Sequence, residues 1–185
     1  MSVGTAETQV TAFEGVRRIA SGPLTYVARA VRTVAQAGFP VLIFDDATGR
    51  QVEVDLRGSE EEVLARLAPA PQRGPGRPKL GVTAREVTLL PRHWNWLATQ
   101  PGGASVALRK LVEEAMRSPE AAIRQAQDIA YRFMAGLAGD LGGYEDANRA
   151  LFAADEGAFT RHTQAWPADV RDYARELAAR AFPIA

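Results

Sequence analysis

The side chains best equipped for chemistry in this chain are cationic, and they cluster. Residues 69–110 carry seven basic side chains and one acidic one, whereas residues 1–68 carry seven against nine and residues 111–185 eight against twelve. The 185 residues therefore sum to a formal charge of zero while one stretch stands at net +6. A local excess of that kind can neutralise phosphates, and the acidic remainder limits indiscriminate adsorption. The residues concerned are Arg73, Arg77, Lys79, Arg85, Arg92, Arg109 and Lys110. A solvated basic linker is the alternative use of the same charges.

Other chemistries find few candidates. His93 and His162 are the only histidines and stand in no metal-ligand spacing. No nucleophile elbow, phosphate loop or dinucleotide fingerprint occurs. With no cysteine there is neither a disulfide framework nor a thiolate metal site. Asp45 and Asp46 precede a hairpin turn, where aspartate serves local backbone hydrogen bonding, and no further carboxylates accompany them as a calcium loop would need. No catalytic residue, metal or cofactor is expected. No apolar run approaches the ~20 residues of a membrane span, and the first residues lack a basic stretch followed by an apolar one. A bacterial-type cytoplasmic location is expected.

The elements that must position the basic residues follow from periodicity. Residues 8–13 and 16–21 flank Glu14-Gly15 as a hairpin, with Val10 and Ala12 alternating against Thr11 and Phe13. From Pro23, Leu24, Val27, Ala28, Val31, Val34 and Ala35 recur at helical spacing until Gly38 and Pro40. Val41-Leu42-Ile43-Phe44 and the alternating Val52, Val54 and Leu56 form a second hairpin across DDATGR. Ser59 and Glu62 make a capping box for a helix bearing Val63, Leu64 and Leu67. The sum is a two-layer ββαββα domain in residues 1–68 of an α+β protein, one expected to fold on its own.

Residues 69–84 are a Pro/Gly-rich linker or arm. Residues 85–117 then read as a strand, Arg85 to Leu90, and two helices. Pro91 opens the first, with Trp94, Leu97 and Ala98 on one face, and Pro101-Gly102-Gly103 breaks it. Ser105 can cap the second, whose Leu108, Leu111, Val112 and Ala115 share a side. Residues 118–185 are helical, opening on Ser118-Pro119-Glu120 with Ala126, Ile129, Ala130, Phe133 and Leu137 along one face. Tyr144, Leu151, Phe152, Phe159, Trp166, Val170, Tyr173 and Leu177 fit buried faces of further short helices.

Residues 84–116 resemble the ribbon-helix-helix DNA-binding fold, in which strands from two subunits pair into a ribbon that enters the major groove. The resemblance implies homodimerisation through this segment, since one strand and two short helices cannot enclose a core. It makes Arg85, Val87 and Leu89 the groove-facing residues if Thr88 and Leu90 point inward; the opposite phasing exposes Glu86 and Thr88. Ser105, at a helix start, would clamp a phosphate, with Arg92, Arg109 and Lys110 flanking it. Gly76-Arg77-Pro78-Lys79 resembles the core of an AT-hook, which inserts arginine into a narrow A·T minor groove, although Pro75 stands where that motif has arginine.

TAFEG at 11–15, VLIFDDATGR at 41–50, DLRGSEEEVLARL at 55–67, the run from Gly76 to Ala115, and WPADVRDYA at 166–174 are similar to a bacterial family known as domain of unknown function 2239. That resemblance spans nearly the whole chain. It implies a bacterial protein and assigns no activity. The local charge, with the ribbon-helix-helix and AT-hook resemblances, implies a dimeric protein binding duplex DNA, with a preference for A/T-rich sequence through the arm. A protein-interaction module built on the same dimer is the alternative, and a ligand-sensing N-terminal domain is a third.

Overall fold

The computed structural model describes residues 6–34, 40–68, 83 and 85–182. Its sheet is built on β1 (Gln9–Glu14), which lies between β2 (Arg17–Pro23) and β3 (Val41–Asp45), antiparallel to both. A tight turn at Gly15, where φ is +57°, joins β1 to β2. The register then slips between Ala12, opposite Ala20, and Phe13, opposite Arg18. Paired on both edges, β1 is buried from Val10 to Glu14, and its alternation sends Val10 and Ala12 to one face and Thr11 and Phe13 to the other.

Each face has its own cover. Val10, Ala12 and Ile43 pack with Leu24, Val27 and Val31 of α1 (Leu24–Val34) and with Val52. Next comes α2 (Glu60–Leu67), whose capping box is formed: Ser59 Oγ accepts from the Glu62 N–H at 3.2 Å, and the Ser59 N–H donates to Glu62 Oε2 at 2.8 Å. The opposite face carries Phe13 and Phe44 into a cluster with Phe133 of α5 (Pro119–Leu137) and Tyr173 of α8 (Ala168–Ala178). Ring centroids there stand 5.4 Å apart for Phe13 and Phe133, 5.0 Å for Phe44 and Phe133 and 4.7 Å for Phe133 and Tyr173. The last two are edge-on, the arrangement that aromatic quadrupoles favour. Two shorter helices, α6 (Tyr144–Phe152) and α7 (Glu156–Thr163), add Leu151 and Phe159 to that core.

Three expectations change. The sheet is a middle layer, so residues 1–68 do not make a two-layer domain of their own. Their described part joins the described residues from Ala122 onward in one compact unit, and the described residues between Pro71 and Ala121 form a second. A lone N-terminal domain would leave Phe13 and Phe44 bare. The fourth strand is also missing: past a single bridge from Phe44 to Gln51 and a bond from the Val52 N–H to the Ile43 carbonyl, residues 53–57 join no strand. Arginines take the carbonyls that a strand would have used. Arg66 bonds those of Asp55 and Arg57, and Arg32 bonds that of Leu56. Finally, residues 85–90 join no strand among the described residues.

The C-terminal helices follow the sequence closely. Ser118 Oγ accepts from the Ala121 N–H at 3.1 Å, capping α5 as its Ser-Pro-Glu start predicts. Leu151, Phe159, Trp166, Val170 and Tyr173 are buried, while Phe152 is half exposed beside Tyr131. One glycine is demanded by packing as well as by its φ of +66°. A Cβ on Gly49 would lie 2.1 Å from the Ile129 carbonyl oxygen, so the turn after β3 touches α5 backbone directly.

Candidate nucleic-acid interface

In the second unit, Leu90 is extended and Pro91 takes the first position of α3 (Pro91–Ala98), where its missing N–H costs nothing. Thr99 Oγ1 bonds back to the Trp96 carbonyl at 2.7 Å, and Gly102 and Gly103, both at positive φ, turn the chain into α4 (Gly103–Met116). The second helix therefore starts three residues earlier than its serine suggests. Gly102 is the cap residue, and Ser105 sits exposed inside the first turn, its carbonyl accepting from Arg109 Nε at 3.2 Å. No side chain caps this helix start, and its first N–H, that of Gly103, donates to the Gln100 carbonyl at 3.0 Å, which leaves the N–H groups after it as the ones a helix start offers.

Leu97 and Ala107 are the buried apolar residues of this unit among those described. Val87, Leu90, Trp94, Trp96, Leu111, Val112 and Met116 are all more than two-fifths exposed, Met116 reaching 73 %. Large apolar side chains gain about 1.5–3 kcal/mol each on full burial, so this surface is unsatisfied as a free face. The side of α4 that periodicity marks as core is thus core without a cover inside its own unit. A groove of about 260 Å³ between the helices is lined by Leu89, His93, Trp96, Leu97, Leu108 and Leu111.

The anticipated contact residues divide accordingly. Arg85, Arg92, Arg109 and Lys110 are exposed, and none of them makes an ion pair among the described residues. Arg92 reaches only His93, its Nε 3.4 Å from the ring Nε2. Val87 is exposed, but Leu89 turns toward the helices and is half-buried, since an apolar side chain gains more against Leu97 and Leu108 than in water. Arg73, Arg77 and Lys79, with the AT-hook-like tetrapeptide, lie outside the described residues. Along α4 the cations are not alone: Arg109, Lys110, Glu113, Glu114 and Arg117 border one open groove, and Arg117 pairs with Glu113 at 2.7 Å. The two carboxylates confine the unpaired positive charge of α4 to Arg109 and Lys110. Sequence reading counted the cations and passed over those two glutamates, although they stand in the same helix.

Among the described residues no group of three or more His, Cys, Asp or Glu side chains could hold a metal ion, and no helix is long and apolar enough to cross a membrane. No curated protein and no solved structure matches the chain. The model of a family described as uncharacterized protein conserved in bacteria, domain of unknown function 2239, matches residues 9–178, and the chain belongs to that family.

Proposed function

We propose that this is a homodimeric DNA-binding protein whose contact surface is residues 85–117 together with the basic arm before them. The observation that carries the reading is the coincidence of two needs on one small unit. Its helices expose an apolar face that asks for a second copy, and its exposed Arg85, Arg92, Arg109 and Lys110 make no ion pair among the described residues, Arg117 alone pairing with Glu113. Two copies pairing residues 85–90 as an antiparallel ribbon would satisfy backbone groups that find no strand partner among the described residues, and would cover Leu111, Val112 and Met116. Arg85 of each copy then enters a groove, Arg92, Arg109, Lys110 and the start of α4 hold phosphates, and Arg73, Arg77 and Lys79 follow the backbone or the minor groove. With Leu89 turned inward, base recognition is sparse, and phosphate charge and A·T groove shape provide most of the binding. No catalytic step, metal or cofactor is part of this reading.

A fluorescence anisotropy titration against duplex DNA tests it. With four to six phosphate contacts per dimer, affinity should fall about a hundredfold or more between 50 and 200 mM salt, at a slope of about −0.9 per contact. Arg77→Ala with Lys79→Ala should weaken binding and flatten that slope, and Arg77→Ala alone should erase any A·T preference. Absence of duplex binding at low salt would overturn the proposal and leave the exposed face to a protein partner.

A further inference from the structure

The turn after β3 brings an underused carboxylate to the mouth of a cleft. Asp45 does what a turn aspartate is expected to do, its Oδ1 accepting the Ala47 and Thr48 N–H groups at 2.9 Å each. Asp46 does not. Its Oδ1 accepts from Tyr173 Oη at 2.6 Å and from Thr11 Oγ1 at 3.0 Å, both side chains being buried. Thr11 Oγ1 is in turn held by Ser21 Oγ at 2.9 Å. Oδ2 has no hydrogen bond and Asp46 no ion pair among the described residues. Arg18, on the same tyrosine, is engaged elsewhere: it lies over the Tyr173 ring, 5.3 Å from its centroid, and 3.7 Å from Glu176.

Beside Asp46 the surface opens into a cleft of about 440 Å³, within the size range of small-ligand sites. Its walls are Ala126 and Ile129 of α5 and Leu177 of α8, its polar groups include Gln125 and Glu176, and Arg180 stands at the rim. Two donors fix the carboxylate from behind, an acceptor oxygen is left over, and the wall is short and aliphatic. That combination suits a cation with a small apolar body. Neutral ligands would gain nothing from the charge, and an anion would meet two carboxylates.

We infer that this cleft binds a small alkylammonium ligand, its ammonium on Asp46 and its aliphatic body against Ala126, Ile129 and Leu177. A free amine and an amino acid share this chemistry, and Arg180, which makes no ion pair among the described residues, distinguishes them by offering a partner to a carboxylate. The inference does not depend on DNA binding.

The full chain is titrated, with backbone amide shifts in NMR spectra as the readout, against three probes of one skeleton: isopentylamine, leucine and 4-methylpentanoate. Saturable shifts at Ala47 and along α8 are expected with the two ammonium probes and none with the carboxylate. Leucine bound more tightly than the amine, with that advantage lost in Arg180→Ala, assigns the site to amino acids; the reverse order assigns it to free amines. Asp46→Asn keeps the acceptor for Tyr173 and Thr11 but removes the charge, and should weaken binding about ten- to a hundredfold. Ala122→Trp fills the exposed rim without touching the polar cluster and should abolish binding, which keeps the test sound if the asparagine variant does not fold. Absence of saturable shifts with both ammonium probes at millimolar concentration, or unchanged affinity in Ala122→Trp, overturns the inference.

Discussion

Tyr173 shows how one buried hydroxyl ties distant segments together. Burial, with the Asp46 carboxylate next in weight, pushes its phenol well above the usual tyrosine range. The folded chain therefore keeps a proton that the unfolded chain releases near pH 10. The stabilisation is fully present below that pH and lost as pH rises above it, at up to about 1.4 kcal/mol per pH unit. Tyr173→Phe should cost about 1.5–3 kcal/mol at neutral pH, the range for a hydrogen bond to a charged group, and should flatten the alkaline decline. Urea unfolding across pH 7–12 measures both, and equal alkaline slopes in the two proteins would contradict the assignment. Nothing in the sequence marks Tyr173 or Thr11 as partners of Asp46. Tyr173 fits the buried face of a helix, Thr11 falls on the strand face opposite Val10 and Ala12, and the 127 positions separating Asp46 from Tyr173 are closed only by tertiary packing.

At the scale of elements, legibility followed the local signals. The capping box at Ser59, the serine before Pro119 and the proline opening α3 each act within one helical turn, so each could be located in advance. The misjudged elements depend on something further away. Val52, Val54 and Leu56 alternate like a strand, yet Arg32 and Arg66 occupy the carbonyls that would have extended the sheet. Residues 85–90 have strand composition and no strand partner among the described residues. If α4 offers its exposed face to a second copy, Val112→Lys should convert a dimer to a monomer in sedimentation while helicity persists, because the substituted side chain is already 54 % exposed in one chain. A wild-type monomer at micromolar concentration would remove the ribbon, and with it the proposed two-fold placement of Arg85.

For the whole molecule, the division read from composition put a boundary where the chain merely departs and returns. Residues 69–84 do look like a connector, but the segments on either side of the second unit share a core, with Phe13 and Phe44 against Phe133 and Tyr173. Hydrophobic periodicity shows which face of an element is buried and not which distant element buries it. A fragment ending near Pro69 should accordingly lack a cooperative thermal transition, having lost the cover on one face of its sheet. A sharp transition in that fragment, followed by circular dichroism, would mean that the α1 side alone sustains the sheet.

The split core also sets a timetable for synthesis. The strands carrying Phe13 and Phe44 are made first, and the last of the helices that cover them ends at residue 178, more than a hundred residues later. At bacterial elongation rates that interval is roughly 5–25 s. Until those helices are made the nascent sheet would present an aromatic face to solvent, and the second unit is synthesised within the same interval. A chaperone bound to the unfinished chain would be expected on that aromatic face, and its release would wait for α8.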